Sequence, residues 1–321
     1  MSALNIAIWT LGEHARRNML PAISKSESVN LIGMFTRNID VLNSQSKQYG
    51  CYAYNSSDEL LQDSSVAAVY ISSPNALHYA QVKQCLLSNK HVIVEKSALV
   101  SLKETQEIIK LAKSKNLLVM EAFMFLYHRQ FSDLKKMIEL EKYGKMLFVE
   151  ASFGFPHLSN EGIRYSKELA GGSLNDAGAY TVCAILNLLS PDAELVFSSM
   201  SSDDTYEVDT SGLAVFKRNN IKAICKWAMG GSYKNHIEIW CEQGHIIVSR
   251  AFSKPENYET EIHVMHNGKI IDKILSGLDN HFINMLQYFS TAILMKSFDS
   301  EYDILLNQSK ILDEIRQKKR G

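Results

Sequence analysis

The sequence predicts an α/β protein: an N-terminal Rossmann-type doubly wound parallel sheet, then a C-terminal α+β domain on an open, mostly antiparallel sheet. Three observations predict it. Short continuous apolar runs alternate with helical stretches over residues 1–122. Strand-like segments joined by short polar turns fill residues 195–268. The change of grammar between them places a boundary that gives domains 1–122 and 123–321.

The apolar runs of the first half are Leu4–Trp9, Val29–Phe35, Val66–Ile71, His91–Glu95 and Leu117–Glu121. Hydrophobicity that is continuous rather than alternating marks strands buried on both faces. Helices are predicted at Ala76–Leu87 and Leu102–Ser114, the second opened by a capping box, Ser101-Leu-Lys-Glu104. In the second half Met146–Phe153 alternates like a strand with one wet face. Strands follow at Leu195–Met200, Ser211–Lys217, Ile221–Met229, His236–Trp240, Ile246–Phe252 and Glu259–His266. Arg218-Asn219-Asn220, Gln243-Gly244 and Asn267-Gly268 read as their turns. Helices at Gly178–Leu189, Asn280–Met295 and Asp303–Lys318 complete this half. The last is expected to reach back to the first domain, with Arg316–Arg320 at the helix end where cations suit the dipole.

The 321 residues are enough for two domains of about 150 each. Lys and Arg number 34 against 35 Asp and Glu, so the basic surplus of a nucleic-acid-binding chain is missing. A 46% hydrophobic, 21% charged composition argues against long disorder. The five cysteines are odd in number and contain no CxxC pair, which predicts reduced thiols and a cytoplasmic protein. No apolar run reaches membrane-spanning length and no basic n-region opens the chain, so neither a membrane partner nor a signal peptide is expected. His263 and His266 sit three apart on a strand and face opposite sides, and no metal site is predicted.

The first strand-to-helix turn reads Thr10-Leu11-Gly12-Glu13-His14-Ala15. A dinucleotide fingerprint wants Gly-x-Gly-x-x-Gly/Ala here. Gly12 and Ala15 fit its second and third positions, while Thr10 stands at the first, where a β-branched residue resists positive φ. Thr10, Leu11, Gly12, His14 and Ala15 are therefore candidate cofactor contacts. The second strand ends in Thr36-Arg37 with no carboxylate for ribose hydroxyls. A guanidinium there suits a 2′-phosphate, which predicts NADP in preference to NAD.

Further segments follow in order: Ser73-Pro74-Asn75 with His78, Glu95-Lys96-Ser97, Met120-Glu121-Ala122, Asn160 through Arg164, and Gly171-Gly172-Ser173-Leu174-Asn175-Asp176-Ala177-Gly178-Ala179-Tyr180. Together with the first loop they resemble the glucose–fructose oxidoreductase / inositol dehydrogenase / rhizopine-catabolism (Gfo/Idh/MocA) family, nearest its dihydrodiol and D-xylose dehydrogenase branch. The resemblance implies an NAD(P)-dependent oxidoreductase acting on a sugar, polyol or related small molecule. It implies cofactor contacts from Ser73, Pro74, Asn75, His78, Glu95, Lys96 and Glu121, and substrate contacts from Arg164, Asp176 and Tyr180. It also implies a homodimer, or a dimer of dimers, through the open sheet. Two departures stand out: Thr10 for the first glycine, and Ser97 for a proline that in the family often follows a cis peptide.

Oxidising a secondary alcohol requires a base for the hydroxyl proton. Lys96 and Tyr180 are expected to bracket that hydroxyl, one of them carrying the proton, with Asp176 orienting it. Asp176 and Tyr180 are i and i+4, which puts them on one helix face. The alternative is a non-catalytic NAD(P)-binding sensor on the same scaffold. A third reading, a reductase of non-sugar carbonyls, would be favoured by Phe123, Phe125 and Trp227 near Tyr180.

Overall fold

A computed structural model describes residues 3–158 and 162–318. The chain divides into two compact units, one of residues 1–122 with 282–306 and the other of residues 123–281 with 307–321.

In the first unit the strands β1 (Leu4–Trp9), β2 (Val29–Phe35), β3 (Tyr52–Ala53), β4 (Ala68–Ile71), β5 (His91–Val94) and β6 (Val119–Glu121) form a parallel sheet of order β3-β2-β1-β4-β5-β6. Helices α1 (Leu20–Lys25), α2 (Ile39–Tyr49), α3 (Ser57–Gln62), α4 (Asn75–Leu87) and α5 (Leu102–Lys115) connect them. Every residue of β4 is buried, as its unbroken apolar run predicts. Ser101 caps α5, its hydroxyl accepting the Glu104 N–H at 3.2 Å, and the Glu104 carboxylate returns to the Val100 N–H at 3.3 Å. β1 pairs with both β2 and β4, so strand order reverses there. The loops after β1, β4 and β5 consequently leave adjacent strand ends, the place where doubly wound sheets bind ligands.

The second unit holds α6 (Arg129–Glu139), β7 (Met146–Phe155), α7 (Gly162–Tyr165), α8 (Ala179–Leu188), β8 (Glu194–Ser201), β9 (Ser211–Arg218), β10 (Ile221–Met229), β11 (Lys234–Cys241), β12 (His245–Ser249), β13 (Thr260–His266) and β14 (Lys269–Gly277). Its sheet runs β14-β13-β12-β11-β7-β10-β9-β8. All neighbours are antiparallel except β7 and β10, which are parallel. One face buries Val149, Ala151, Phe153, Cys225, Trp227, Ile237 and Ile239. The opposite face leaves Phe148, Phe197, Ile224, Trp240, Ile270 and Leu275 exposed.

The helices α9 (His281–Met295) and α10 (Asp299–Lys318) correct the domain reading. Residues 282–306 belong to the first unit rather than to a domain 123–321. Non-local contacts hold them there: Phe282 meets the His14 ring edge-on at 5.6 Å, and the Tyr302 hydroxyl donates to the Leu117 carbonyl at 2.6 Å. Arg316 does more than cap the last helix, since its guanidinium also donates to Asn175 Oδ1 at 2.6 Å. Lys319 and Arg320 lie outside the described residues, as do Asn160 and Glu161. Among the described residues no helix is long and apolar enough to cross a membrane, and no cluster of His, Cys, Asp and Glu is fit to hold a metal ion.

Candidate active site

The first unit gathers its candidate residues on loops. Thr10, just past β1, donates its N–H to the Phe35 carbonyl at 2.8 Å. Its φ is 78°, so a β-branched residue occupies the left-handed region where glycine is the usual choice. The next helix starts at once, with Arg16 N–H on the Gly12 carbonyl at 3.1 Å and a π-wound turn over Ala15–Met19. Leu11 and Ala15 are buried, the packing role expected of Ala15. A Cβ on Gly12 would meet only Ser72, at 3.6 Å and 3.7 Å. That is ordinary contact, so the protein's own packing does not require glycine, and the absent side chain leaves a cradle at the loop. The buried His14 Nδ1 beside it has no hydrogen-bond partner and approaches Glu95 Oε1 only to 3.6 Å. At the end of β2 Thr36 is buried and Arg37 is exposed. These features fit a dinucleotide whose phosphates meet the loop and whose 2′ position meets Arg37.

The loop after β4 is packed inward. The Ser73 hydroxyl donates to Gln81 Oε1 at 2.5 Å, Pro74 precedes the first turn of α4, and Asn75 begins it. His78, one turn on, is wholly buried. Its Nε2 lies 2.8 Å from the Ser73 carbonyl, and its Nδ1 lies 3.0 Å and 3.2 Å from the Ser97 and Ala98 carbonyls. Burial holds the His78 pKa below its ordinary value, against the pull of those carbonyls and of Glu95.

The turn after β5 carries Glu95, Lys96, Ser97 and Ala98. The Lys96–Ser97 peptide is cis, although Ser97 replaces proline. The Tyr70 hydroxyl donates to Glu95 Oε1 at 2.6 Å. Glu121, at the end of β6, is 7% exposed and accepts the Ala98 N–H at 2.8 Å. Two expected cofactor contacts thus also bond to backbone: His78 Nδ1 faces the Ser97 and Ala98 carbonyls and its Nε2 the Ser73 carbonyl, while Glu121 accepts the Ala98 N–H. Their motifs marked them as important, but only the fold shows that they serve the backbone.

In the second unit the segment 171–180 is shaped by close approaches. A Cβ on Gly171 would lie 2.4 Å from the Arg164 carbonyl oxygen, so only glycine fits. Asp209, which the sequence reading missed, accepts from the Ser173 hydroxyl at 2.5 Å and the Leu174 N–H at 2.7 Å, fixing the start of the helical segment. A π-wound turn, Leu174–Gly178, leads into α8 and carries Asp176. The Asp176 carboxylate takes a hydrogen bond from the half-exposed Arg164 guanidinium. Arg164 and Asp176, both assigned to substrate, are thus brought together.

Tyr180, one turn beyond Asp176, is 6% exposed. Phe123, Phe125, Phe153 and Phe252 surround its ring at centroid distances of 5.6, 6.0, 5.3 and 5.8 Å. Its hydroxyl reaches Met124 Sδ at 3.5 Å, a weak acceptor. Phe153 and Phe252 went unforeseen because β7 and the segment after β12, both distant in sequence from Tyr180, supply them.

Comparison with known proteins agrees with this arrangement. The family description "Oxidoreductase family, NAD-binding Rossmann fold" matches residues 4–123, and "GFO/IDH/MocA C-terminal domain" matches residues 131–247. A dTDP-3,4-didehydro-2,6-dideoxy-alpha-D-glucose 3-reductase from Actinomadura kijaniata is 25% identical over 98% of this chain and 95% of its own length. A scyllo-inositol 2-dehydrogenase (NADP(+)) from Bacillus subtilis is 25% identical over 85% of this chain and 84% of its own. A crystal structure of a 3-ketoreductase from Actinomadura kijaniata with NADP and TDP-benzene superposes with a TM-score of 0.94, at 24% identity, covering 98% of each chain.

Proposed function

The chain belongs to the Gfo/Idh/MocA oxidoreductase family and is an NAD(P)-dependent oxidoreductase; from that premise we propose that it interconverts a secondary alcohol and a carbonyl on a sugar, polyol or sugar derivative, with NADP preferred. The bound nicotinamide dinucleotide supplies or accepts the hydride. Thr10, Gly12 and His14 would bind its phosphates, with Ser73, Pro74, Asn75 and Glu95 lining its path. One of Lys96 and Tyr180 would exchange the proton with the substrate oxygen. Arg164 holds Asp176, and Asp176 orients the substrate.

The observation that carries this reading is the Asp176–Tyr180 pair. One helical segment presents a carboxylate fixed by Arg164 and, one turn later, a phenol whose ring is caged by phenylalanines. A ring held rigid by its neighbours keeps its hydroxyl in one place, which suits proton exchange. The named relatives act on sugars and an inositol, and several on dTDP-linked keto-deoxysugars. Hydride transfer is tested by following NADPH absorbance over a panel of aldoses, inositols and nucleotide-linked keto-sugars. Binding without turnover on every member would instead support the sensor reading. The non-sugar reductase reading expects Phe123, Phe125 and Trp227 near Tyr180, and Phe123 and Phe125 do pack on its ring, so apolar carbonyls join the panel.

Arg37 supports NADP through its charge at the end of β2. Arg37→Ala should weaken NADPH by about tenfold or more, the worth of one charge-assisted hydrogen bond, and leave NADH unchanged. Fluorescence titration of both cofactors checks this. Equal wild-type affinities would exclude the preference.

The same proposal includes a homodimer through the uncovered sheet face. Trp240 is 60% exposed and Phe148 43%, their rings 5.8 Å apart, and register places Ile224, Phe197 and Ile270 on the same side. Apolar surface of this kind marks an interface. Glu150 and Glu238 alternate there with Lys226 and His245, a mixture that a second copy can match under two-fold symmetry. Trp240→Glu should convert a dimer to monomer in sedimentation velocity. An unchanged mass would reject this face. Cytoplasmic residence is proposed from the five cysteines, all thiols.

A further inference from the structure

We propose that Arg316, near the end of α10, is a positioning residue of Asp176 and acts through the Asn175 carboxamide. This deepens the reading of Asp176 as the group that orients the substrate and rests on it.

The route is a chain of hydrogen bonds. The Arg316 guanidinium donates through Nη2 to Asn175 Oδ1 at 2.6 Å, and through Nη1 to Asp313 Oδ1, one turn earlier on α10, at 3.0 Å. Asn175 is 8% exposed, so both ends of its amide must find partners inside the protein. Its Nδ2 donates to the Ala170 and Gly171 carbonyls at 2.9 Å and 3.2 Å. The turn it holds is not one that a chain adopts freely, since Ala170 and Gly172 have φ of 55° and 101°. The same turn fastens the main chain of Arg164, whose carbonyl accepts the Gly172 N–H at 2.8 Å. The Arg164 side chain then bonds to Asp176, the residue after Asn175. A ring therefore closes from Asn175 through the turn and Arg164 to Asp176, and along the chain back to Asn175.

Such a ring fixes its members relative to one another, and ties to other elements must fix it as a body. Asp209 supplies one tie, at Ser173 and Leu174. Arg316 supplies another, at Asn175 itself. Gln308, about two turns earlier on α10, donates to the Ala179 carbonyl at 2.9 Å. The last helix thus grips the two residues that directly precede Asp176 and Tyr180. Arginine suits this place because its planar fork serves Asn175 and Asp313 at once, a geometry that a lysine head lacks.

The test reads Arg164 and needs neither substrate nor cofactor. Phenylglyoxal condenses with guanidinium groups and is slowed where a carboxylate holds them. Arg164 is half-exposed and within reach of the reagent. Labelling is read by peptide mass spectrometry against the exposed Arg37. Arg316→Met keeps the apolar stem and removes the donors. Arg164 labelling should then rise about threefold or more, as its hydrogen bond to a displaced Asp176 weakens. Asp176→Ala frees Arg164 outright, so adding Arg316→Met to it should change labelling by less than about 1.5-fold. Equal labelling of wild type and Arg316→Met would overturn the proposal. So would a rise of the same size in both backgrounds, which general loosening of the segment gives. Should Arg316→Met fail to fold, Arg316→Lys decides: a smaller rise that vanishes beside Asp176→Ala supports the proposal, and no rise overturns it. On the best panel substrate Arg316→Met should also lower kcat/KM about tenfold, with NADPH affinity unchanged. A kcat/KM within about twofold of wild type would overturn the proposal as well. A protein inactive on every panel member but with the expected labelling would refute the substrate role of Asp176 and leave the route from Arg316 to Asp176 standing.

Discussion

Lys96→Met is expected to leave NADPH binding intact and to cut turnover by ~10²–10⁴-fold, the worth of a positioned acid–base group. Binding should be preserved because the proposed phosphate contacts and Arg37 lie at the ends of β1 and β2, whereas Lys96 lies after β5. Methionine matches the length of the lysine stem, and the turn keeps its clamps at Glu95, Ala98 and the Ser97 carbonyl. The loss should appear in kcat. NADPH fluorescence titration together with single-turnover kinetics on the best panel substrate measures both quantities. A rate within threefold of wild type would remove Lys96 from the chemistry and leave the proton to Tyr180.

Tyr180→Phe carries the second large effect. Only a hydroxyl is removed, and the four phenylalanine rings that pack the Tyr180 ring remain. The hydroxyl contact to Met124 Sδ is long at 3.5 Å and contributes little stability. Turnover should fall by about 10²-fold with the melting temperature shifted by no more than a few degrees. If Tyr180 were scaffold, the order would invert: the melting temperature would drop and the rate per folded molecule would hold. Differential scanning calorimetry beside steady-state kinetics separates the two.

Much of the architecture was legible along the chain. β1, β2 and β10 run over the predicted bounds, and β4, β5, α4 and α5 differ from theirs only at the ends. Each is a long apolar run or a capped amphipathic stretch whose period needs no partner to be seen. What escaped notice had weaker local signals. β3 is two residues long. β14 lies at the sheet edge with lysines among its apolar residues, and only pairing with β13 makes it a strand. The parallel pairing of β7 with β10 sets residues some 75 positions apart side by side, such as Ala151 and Cys225, and no turn announces it.

The candidate site divides along the same line. Residue type and order were enough to single out Gly12, Arg37, Lys96, Arg164, Asp176 and Tyr180, because phosphate cradling, 2′-phosphate pairing and proton exchange each demand particular side chains at particular strand or helix ends. What each neighbouring group does depended on the tertiary fold. His78 and Glu121 share motifs with candidate ligand contacts, yet both are buried and bond to the backbone of the Lys96 turn. Thr10 adopts φ 78° because β1 and β2 hold its backbone there, against the preference of its own side chain. The rings around Tyr180 come from positions as far apart as 123 and 252. Chemistry is written in single residues and short spacings. Burial, and the choice of partner for a buried polar group, are properties of long-range packing, so they exist only once the chain has closed on itself.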